Sequence, residues 1–545
     1  MKNSHRNIVL LAVLVSAATF GGFSRHISAK SATDPVVSGS PTPKPTPLAT
    51  PKPAPSPSPS PTPVPTQTLE FLQSKLSSRL FSPDLRRGRV GIKVVSLNTG
   101  KVVFENDSDK YFMPASNMKN FTVATAMERL GPDFKFVTSV YAAAKADSEG
   151  AIKGDLRIVG RGDISISTAF FGTSPTDPET YYKGIDRLAD QIIATGVKRI
   201  DGSIVGDESY FKGFALPGTW EWDDLQPYYG AEISALPLND NAVDLAVAPG
   251  AVGGPCVATI SPANTLMQVV NLCSTTGSSV KRSLDVVKKI DRNVLEISGT
   301  MPAGDAAFKT SIAFTHPADL FVALLKQRLE SKGVIVTGGA RTMPLNAKAG
   351  SNQMEIAKLE SPPFSVIAAK TMKPSQNMFA ETILWTLGEQ IGRTTGGSGE
   401  SSELGLGVVK AFMKQIGVPD DGIHQYDGSG LSRHDLITPS AIVTLYTYMA
   451  KQSKYSQAWR DSLSIGGVDG TLANRFKGTA AAGNIRGKTG TIDQVSALSG
   501  YMTTAGGEPL VISIVVNGIP EPRMRTSLID DVVILLANFN GKIDP

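Results

Sequence analysis

The sequence is short of the residues that most often carry metal and thiol chemistry. It has only 2 cysteines in 545 residues, Cys256 and Cys273. Neither has a histidine near it, which argues against thiol catalysis and against a cysteine–histidine metal site. Of 5 histidines, His5 and His26 lie in the first thirty residues, and His316, His424 and His434 show no metal-ligand spacing. No Gly-x-Ser-x-Gly elbow occurs, which leaves a triad based on His434 as a weak alternative. Long apolar runs are missing as well. The stretch Ile8 to Phe23 is short for a membrane span, and nothing after it comes close, so the remainder does not read as an integral membrane protein. The net charge of +5 is small for this length, and no basic stripe with interleaved aromatics is present, which argues against a nucleic-acid partner. There is no internal repeat.

What is there begins with a leader. Lys2 and Arg6 precede an apolar stretch with small residues at Ala17-Ala18 and Gly21-Gly22. Residues 1–30 therefore read as an export signal peptide or, if uncleaved, an N-terminal membrane anchor. Residues 31–67 are a Pro-rich linker. Its segment Pro41 to Pro65 cannot pack a core and would reach on the order of 75 Å as polyproline II. An exported chain meets an oxidising compartment, where Cys256 and Cys273 can form a disulfide, with two separate thiols as the alternative.

The rest has a globular composition, 41% hydrophobic and 19% charged. Arg89 to Val95 and Lys101 to Glu105 flank Asn98-Thr99-Gly100 as strand, turn and strand. Val495 to Met502 and Leu510 to Val516 read as a second hairpin, followed by a helix from Arg523 to Phe539. Strands at both ends with helices between them predict one sheet built from distant parts of the chain, in an α/β layered domain spanning 68–144 and 346–545. Helices are expected at Met378 to Ile391, Gly407 to Gly417 and Pro439 to Lys451. Residues 145–345 differ in texture: short β-like runs at Leu156–Val159, Ile200–Val205, Val243–Val247 and Val294–Ile297 predict one or two mostly-β inserted domains, with a helix from His316-Pro317 to Lys332.

Three short motifs carry candidate chemistry. Ser116 and Lys119 stand three apart at the head of an apolar helical pattern that Gly131-Pro132 ends. That spacing puts both side chains on one helix face. A buried lysine loses its proton easily and can then activate a serine. The tetrad alone is weak, because Ser209/Lys212 and Ser278/Lys281 match it too. Ser375 and Asn377, two apart, would face the same way in an extended segment or turn, offering a hydroxyl and an amide. Lys488-Thr489-Gly490-Thr491 would line a strand edge with an ammonium and hydroxyls, while Gly490 lets a backbone or ligand come close. A phosphate loop over Gly483 to Thr489 is a near match, one residue short of the required spacing.

Ser-x-x-Lys, Ser-x-Asn and Lys-Thr-Gly in this order resemble the signature of penicillin-binding proteins and serine β-lactamases. Asp427-Gly-Ser-Gly-Leu-Ser-Arg433, Thr438-Pro439, Asn377 to Glu381 and Gly160 to Asp163 narrow the resemblance to the class C penicillin-binding proteins, the D-alanyl-D-alanine carboxypeptidase/endopeptidase family. In the last of these, Ile164-Ser165 depart from the family's Pro-Thr. The resemblance implies an α/β (α+β) transpeptidase fold, β-lactamase-like, with an antiparallel sheet, helices and an insertion. It implies Ser116 as acylated nucleophile, Lys119 as its base and Ser375 as the relay that hands a proton to the leaving nitrogen. Asn377 would bind the substrate's peptide amide and help hold Lys119, and Lys488 and Thr489 would hold the terminal carboxylate. The N–H groups of Ser116 and Thr491 would form the oxyanion hole. The implied substrate is a peptidoglycan stem peptide, cut by serine-type D-Ala-D-Ala carboxypeptidase or endopeptidase action in the periplasm or cell envelope. β-Lactams are the implied covalent inhibitors, and no cofactor or metal is implied. A β-lactamase and a non-enzymatic, tethered wall-binding or β-lactam-sensing module are the alternatives.

Overall fold

A computed structural model describes residues 65–172, 177–343 and 353–543. The leader at 1–30 and nearly all of the 31–67 linker lie outside the described residues. Residues 65 to 67 lie against Asn540, whose side chain bonds Gln67 N and Pro65 O. Among the described residues no helix is long and apolar enough to cross a membrane.

The central element is a six-stranded antiparallel sheet in the order Val102–Asn106, Arg89–Ser96, Pro509–Asn517, Val495–Thr503, Arg486–Ile492, Ser464–Ile465. Its pairing joins distant sequence, with Arg89 opposite Asn517 and Ser96 opposite Leu510. Side chains on a strand alternate between faces. Leu510, Ile512, Ile514 and Val516 meet one layer, the helices Leu69–Leu80 and Pro522–Ala537. Val511 and Val515 meet the other, which holds the helices Lys119–Leu130, Asn377–Leu387 and Pro439–Lys451. A strand in the middle of a sheet covered on both faces has little room for unpaired charge, and Val495 to Met502 is uncharged and fully buried.

The helices at Pro439–Lys451, Pro317–Ser331 and Pro522–Ala537 lie where the periodicity puts them. The one expected from Gly407 begins six residues earlier, in Ser401–Gln415, because Glu400 and Glu403 form a capping box there. Ile200–Val205 is not one strand: the chain turns at Gly202 into two, Arg199–Asp201 and Ile204–Asp207, in different sheets. Gly202 allows this because a Cβ there would lie 2.3 Å from the Gly154 backbone.

The segment between the first two motifs has its own apolar cluster, from Val140 to Leu359. It holds several small sheets, with parallel pairs such as Leu156–Val159 with Ile204–Asp207. It also holds the helices Lys183–Ile193 and Pro317–Ser331, the first of which the sequence reading missed. The strand Val137–Ala142, which also pairs with Leu156–Val159, and the edge strand Met354–Glu360 pair with each other and lie outside 145–345. Cys256 and Cys273 are joined by a disulfide.

Candidate active site

Ser116 does not lie in an α-helix. It sits on a single 3-10 turn, Ala115–Met118, and the α-helix starts at Lys119. The reason is tertiary: Ala115 is left-handed, with φ 47°, and Gly430 packs so tightly on it that a Cβ there would lie 1.9 Å from Ala115 O. The helix that follows is buried from Lys119 to Met127, so the Lys119 ammonium has no route to bulk water. Lys119 Nζ is 2.9 Å from Ser116 Oγ, 2.6 Å from Asn377 Oδ1 and 2.7 Å from Ser429 O. Burial pulls its pKa down to about 7, against the opposing pull of Asp427, Glu381 and Asp435. A neutral lysine has two N–H donors and one lone pair. Asn377 and Ser429 O take both donors, and the lone pair is left for the Ser116 hydroxyl.

The second motif is not extended. Ser375 is left-handed, with φ 67°, and Asn377 opens the helix Asn377–Leu387. The two side chains reach different lysines of one cleft: Asn377 accepts from Lys119, and Ser375 Oγ accepts from Lys488 Nζ at 2.8 Å. The amide nitrogen of Asn377 donates to Tyr229 O, 3.0 Å away in the inserted segment.

Lys488 lies inside the strand Arg486–Ile492 and heads no helix, which removes the phosphate-loop alternative. It is fully buried, and burial together with the Lys119 charge holds its ammonium well below the usual lysine range. Its Nζ also donates to Thr489 O, and Thr489 Oγ1 donates to Thr471 Oγ1 at 2.6 Å. The edge strand Ser464–Ile465 pairs only with Arg486 and Gly487, so beyond them this strand faces the Ser116 turn. Asn117 Nδ2 donates to Lys488 O, and a Cβ on Gly490 would lie 2.5 Å from Pro114 O. It is thus a backbone, that of Pro114, that comes close at Gly490. Thr491 is exposed beside it.

Some parts of the site carried no motif of their own. Asp427 accepts from Ser429 N, Gly430 N, Ser432 N and Trp220 Nε1, at 2.6 to 3.0 Å. Both Glu381 oxygens accept from Gly428 N, and Thr122 Oγ1 donates to Gly428 O. These bonds fix the loop that offers Ser429 O to Lys119. Burial, then the Asp427 charge, pushes Glu381 up to about 8 and Asp435 well above the carboxylate range. The family resemblance pointed to the Asp427 block without saying what it does; a carbonyl partner such as Ser429 O leaves no residue-type signal. Asp163 is buried, and among the described residues its side chain accepts from Ser165 alone. The decoys do not converge on anything: Ser209 and Lys212, and Ser278 and Lys281, are exposed. His434 lies edge-on to Tyr426.

The chain is 32% identical over 486 residues to the D-alanyl-D-alanine carboxypeptidase of Actinomadura sp. strain R39, covering 87% of this chain and 86% of that one. It is 26% identical to the penicillin-sensitive carboxypeptidase A of Dictyostelium discoideum, over 80% of this chain and 84% of that one. The crystal structure of penicillin binding protein 4 from Haemophilus influenzae shares the fold, with a TM-score of 0.71 at 24% identity over 86% of this chain and 99% of that one. Residues 72–539, nearly the whole described chain, match the D-Ala-D-Ala carboxypeptidase 3 (S13) family. The chain therefore belongs to that family of serine peptidases.

Proposed function

We propose that this D-Ala-D-Ala carboxypeptidase acts on peptidoglycan stem peptides through an acyl-enzyme on Ser116. The observation that carries the reading is Lys119, buried, near neutral and 2.9 Å from Ser116 Oγ, with its other acceptors already supplied. Lys119 takes the hydroxyl proton as Ser116 Oγ attacks the penultimate D-alanine carbonyl carbon. The peptide C–N bond breaks, and Ser375 Oγ, which accepts from Lys488 Nζ, hands its proton to the departing D-alanine nitrogen. The proton that Lys119 took passes to Ser375, leaving both groups as they began. Water then cleaves the serine ester and regenerates the hydroxyl. Asn377 holds Lys119. The terminal carboxylate meets Thr489 and Thr491, above the Lys488 side chain. The N–H groups of Ser116 and Thr491 would stabilise the oxyanion, each such donor being worth about 3–4 kcal/mol.

The same serine would capture β-lactams, and the site of action would be the periplasm or cell envelope, reached through the leader. Cutting of cross-links as an endopeptidase is the same chemistry with a larger leaving group. Intact mass after incubation with benzylpenicillin tests the reading. One penicillin should add to the wild type and none to Ser116→Ala, and the wild type should release D-alanine from a pentapeptide. No adduct with the drug intact and no release overturns it, and rapid drug hydrolysis points instead to a β-lactamase.

A further inference from the structure

The turn that carries Ser375 is held from two sides. On the sheet side, Thr471 N and Ser464 Oγ donate to Lys373 O at 3.0 and 3.3 Å. On the other side stands the inserted segment. There Asn239, Asp240 and Asn241 are left-handed in succession, with φ of 46°, 61° and 55°. Asn and Asp tolerate that region one at a time, but three in succession persist only where their surroundings impose them. They do so here. Asn239 accepts from Thr168 N and donates to Tyr181 O, at 3.1 and 2.8 Å. Asn241 accepts from Leu238 N and donates to Glu232 O, at 3.0 and 2.8 Å.

The residue delivered by this strained turn is Asp240. Its Oδ1 accepts from Ser167 Oγ at 2.7 Å, and its Oδ2 accepts from Gln376 Nε2 at 2.8 Å. Gln376 stands between Ser375 and Asn377, and its Oε1 accepts from Met378 N, capping the helix that Asn377 opens. A rigid turn of the insertion thus grips the one side chain lying between the two site residues. We propose that Asp240 is a positioning residue for Ser375: through Gln376 it holds the left-handed backbone that aims Ser375 Oγ at Lys488, which makes the insertion a working part of the active site. The inference rests on the role given to Ser375 above.

Asp240→Ala removes the grip, while Asp240→Asn can keep both bonds, its Oδ1 accepting from Gln376 and its Nδ2 donating to Ser167. The limiting rate of benzylpenicillin acylation, its half-saturating concentration and the thermal midpoint are measured for all three proteins. The expected result is a limiting rate at least tenfold lower in Asp240→Ala, with the half-saturating concentration within about twofold of wild type, and a rate within about threefold of wild type in Asp240→Asn. An alanine variant that acylates within twofold of wild type overturns the proposal. So does an equal fall in both variants that tracks a lower thermal midpoint. Should the alanine variant not fold, Gln376→Glu keeps the cap and loses the donor, and it should show the same slow acylation; a wild-type rate there overturns the proposal. Failure of the wild type to acylate overturns the acyl-enzyme reading instead.

Discussion

Lys119 is where burial turns into reactivity. A lysine in water stays protonated far above neutrality, but this one is held near 7 because its ammonium is sealed beneath an apolar helix and exchanges water for only three acceptors. The sign follows: only the neutral amine accepts the Ser116 proton, so acylation should climb about tenfold per pH unit below about 7 and level off above it. Benzylpenicillin acylation rates from pH 5 to 9 check this, and a flat profile would exclude Lys119 as the base. The pair was legible because Ser-x-x-Lys is local, and the 3-10 turn that leads into the helix brings the two side chains together much as helical spacing would. The strained backbone at Ala115 and Ser375 was not legible, since each is imposed by a partner far along the chain: Gly430 for the first, and for the second Lys373 held by the 464–471 segment, with Gln376 held by Asp240.

The loop Asp427 to Ser432 is the element that supports that lysine. Glu381 holds Gly428 N with both oxygens, and its pKa is raised to about 8 from 4.5, burial first and Asp427 second. A raised carboxyl contributes stability that is complete below about pH 4.5, is lost progressively as pH rises toward 8, and is gone above it. Glu381→Gln, which copies the protonated form, should already be the more stable protein at pH 6, with a gap that widens by about 1.4 kcal/mol per pH unit up to about pH 8 and stays constant above it. Urea unfolding at pH 6 and pH 9 reads this out; equal midpoints at pH 9 would refute it. The loop's residues are in plain view in the sequence, yet its function is not, because what it presents to Lys119 is the backbone carbonyl of Ser429. The terminal hairpins, by contrast, read off directly from their mostly apolar runs and the turn residues between them.

At the scale of the whole molecule, two apolar clusters border the site's own: one beneath the sheet and one within the insertion. Cys256 and Cys273 staple the insertion across 17 residues, far from any site side chain in sequence. Replacing both by alanine should lower the stability of the insertion by about 3 kcal/mol. Penicillin acylation at 25 °C should stay within about twofold of wild type, because both cysteines belong to the insertion's own apolar cluster and not to the one around the site. A thermal melt with a parallel acylation assay tests both halves, and loss of acylation without loss of fold would contradict the separation. The insertion's β-rich texture was visible in composition. Its grip on the site was not, because Trp220, Tyr229 and Asp240 contribute one hydrogen bond each from places that no spacing links.

The pairing of Arg89–Ser96 with Pro509–Asn517 has a consequence for biosynthesis. The ribosome makes Ser116 early, but the strand that must lie beside Arg89–Ser96 comes more than four hundred residues later. Until then the first hairpin has an open edge, and Lys119 lacks the sheet that seals it. The inserted segment closes its own core long before, so it is the first part able to fold as a unit. Pairing over so long a separation is slow. On the proposed mechanism, the nascent protein therefore carries Ser116 without its activating surroundings through nearly all of its synthesis, and the site is complete only when the last strand docks.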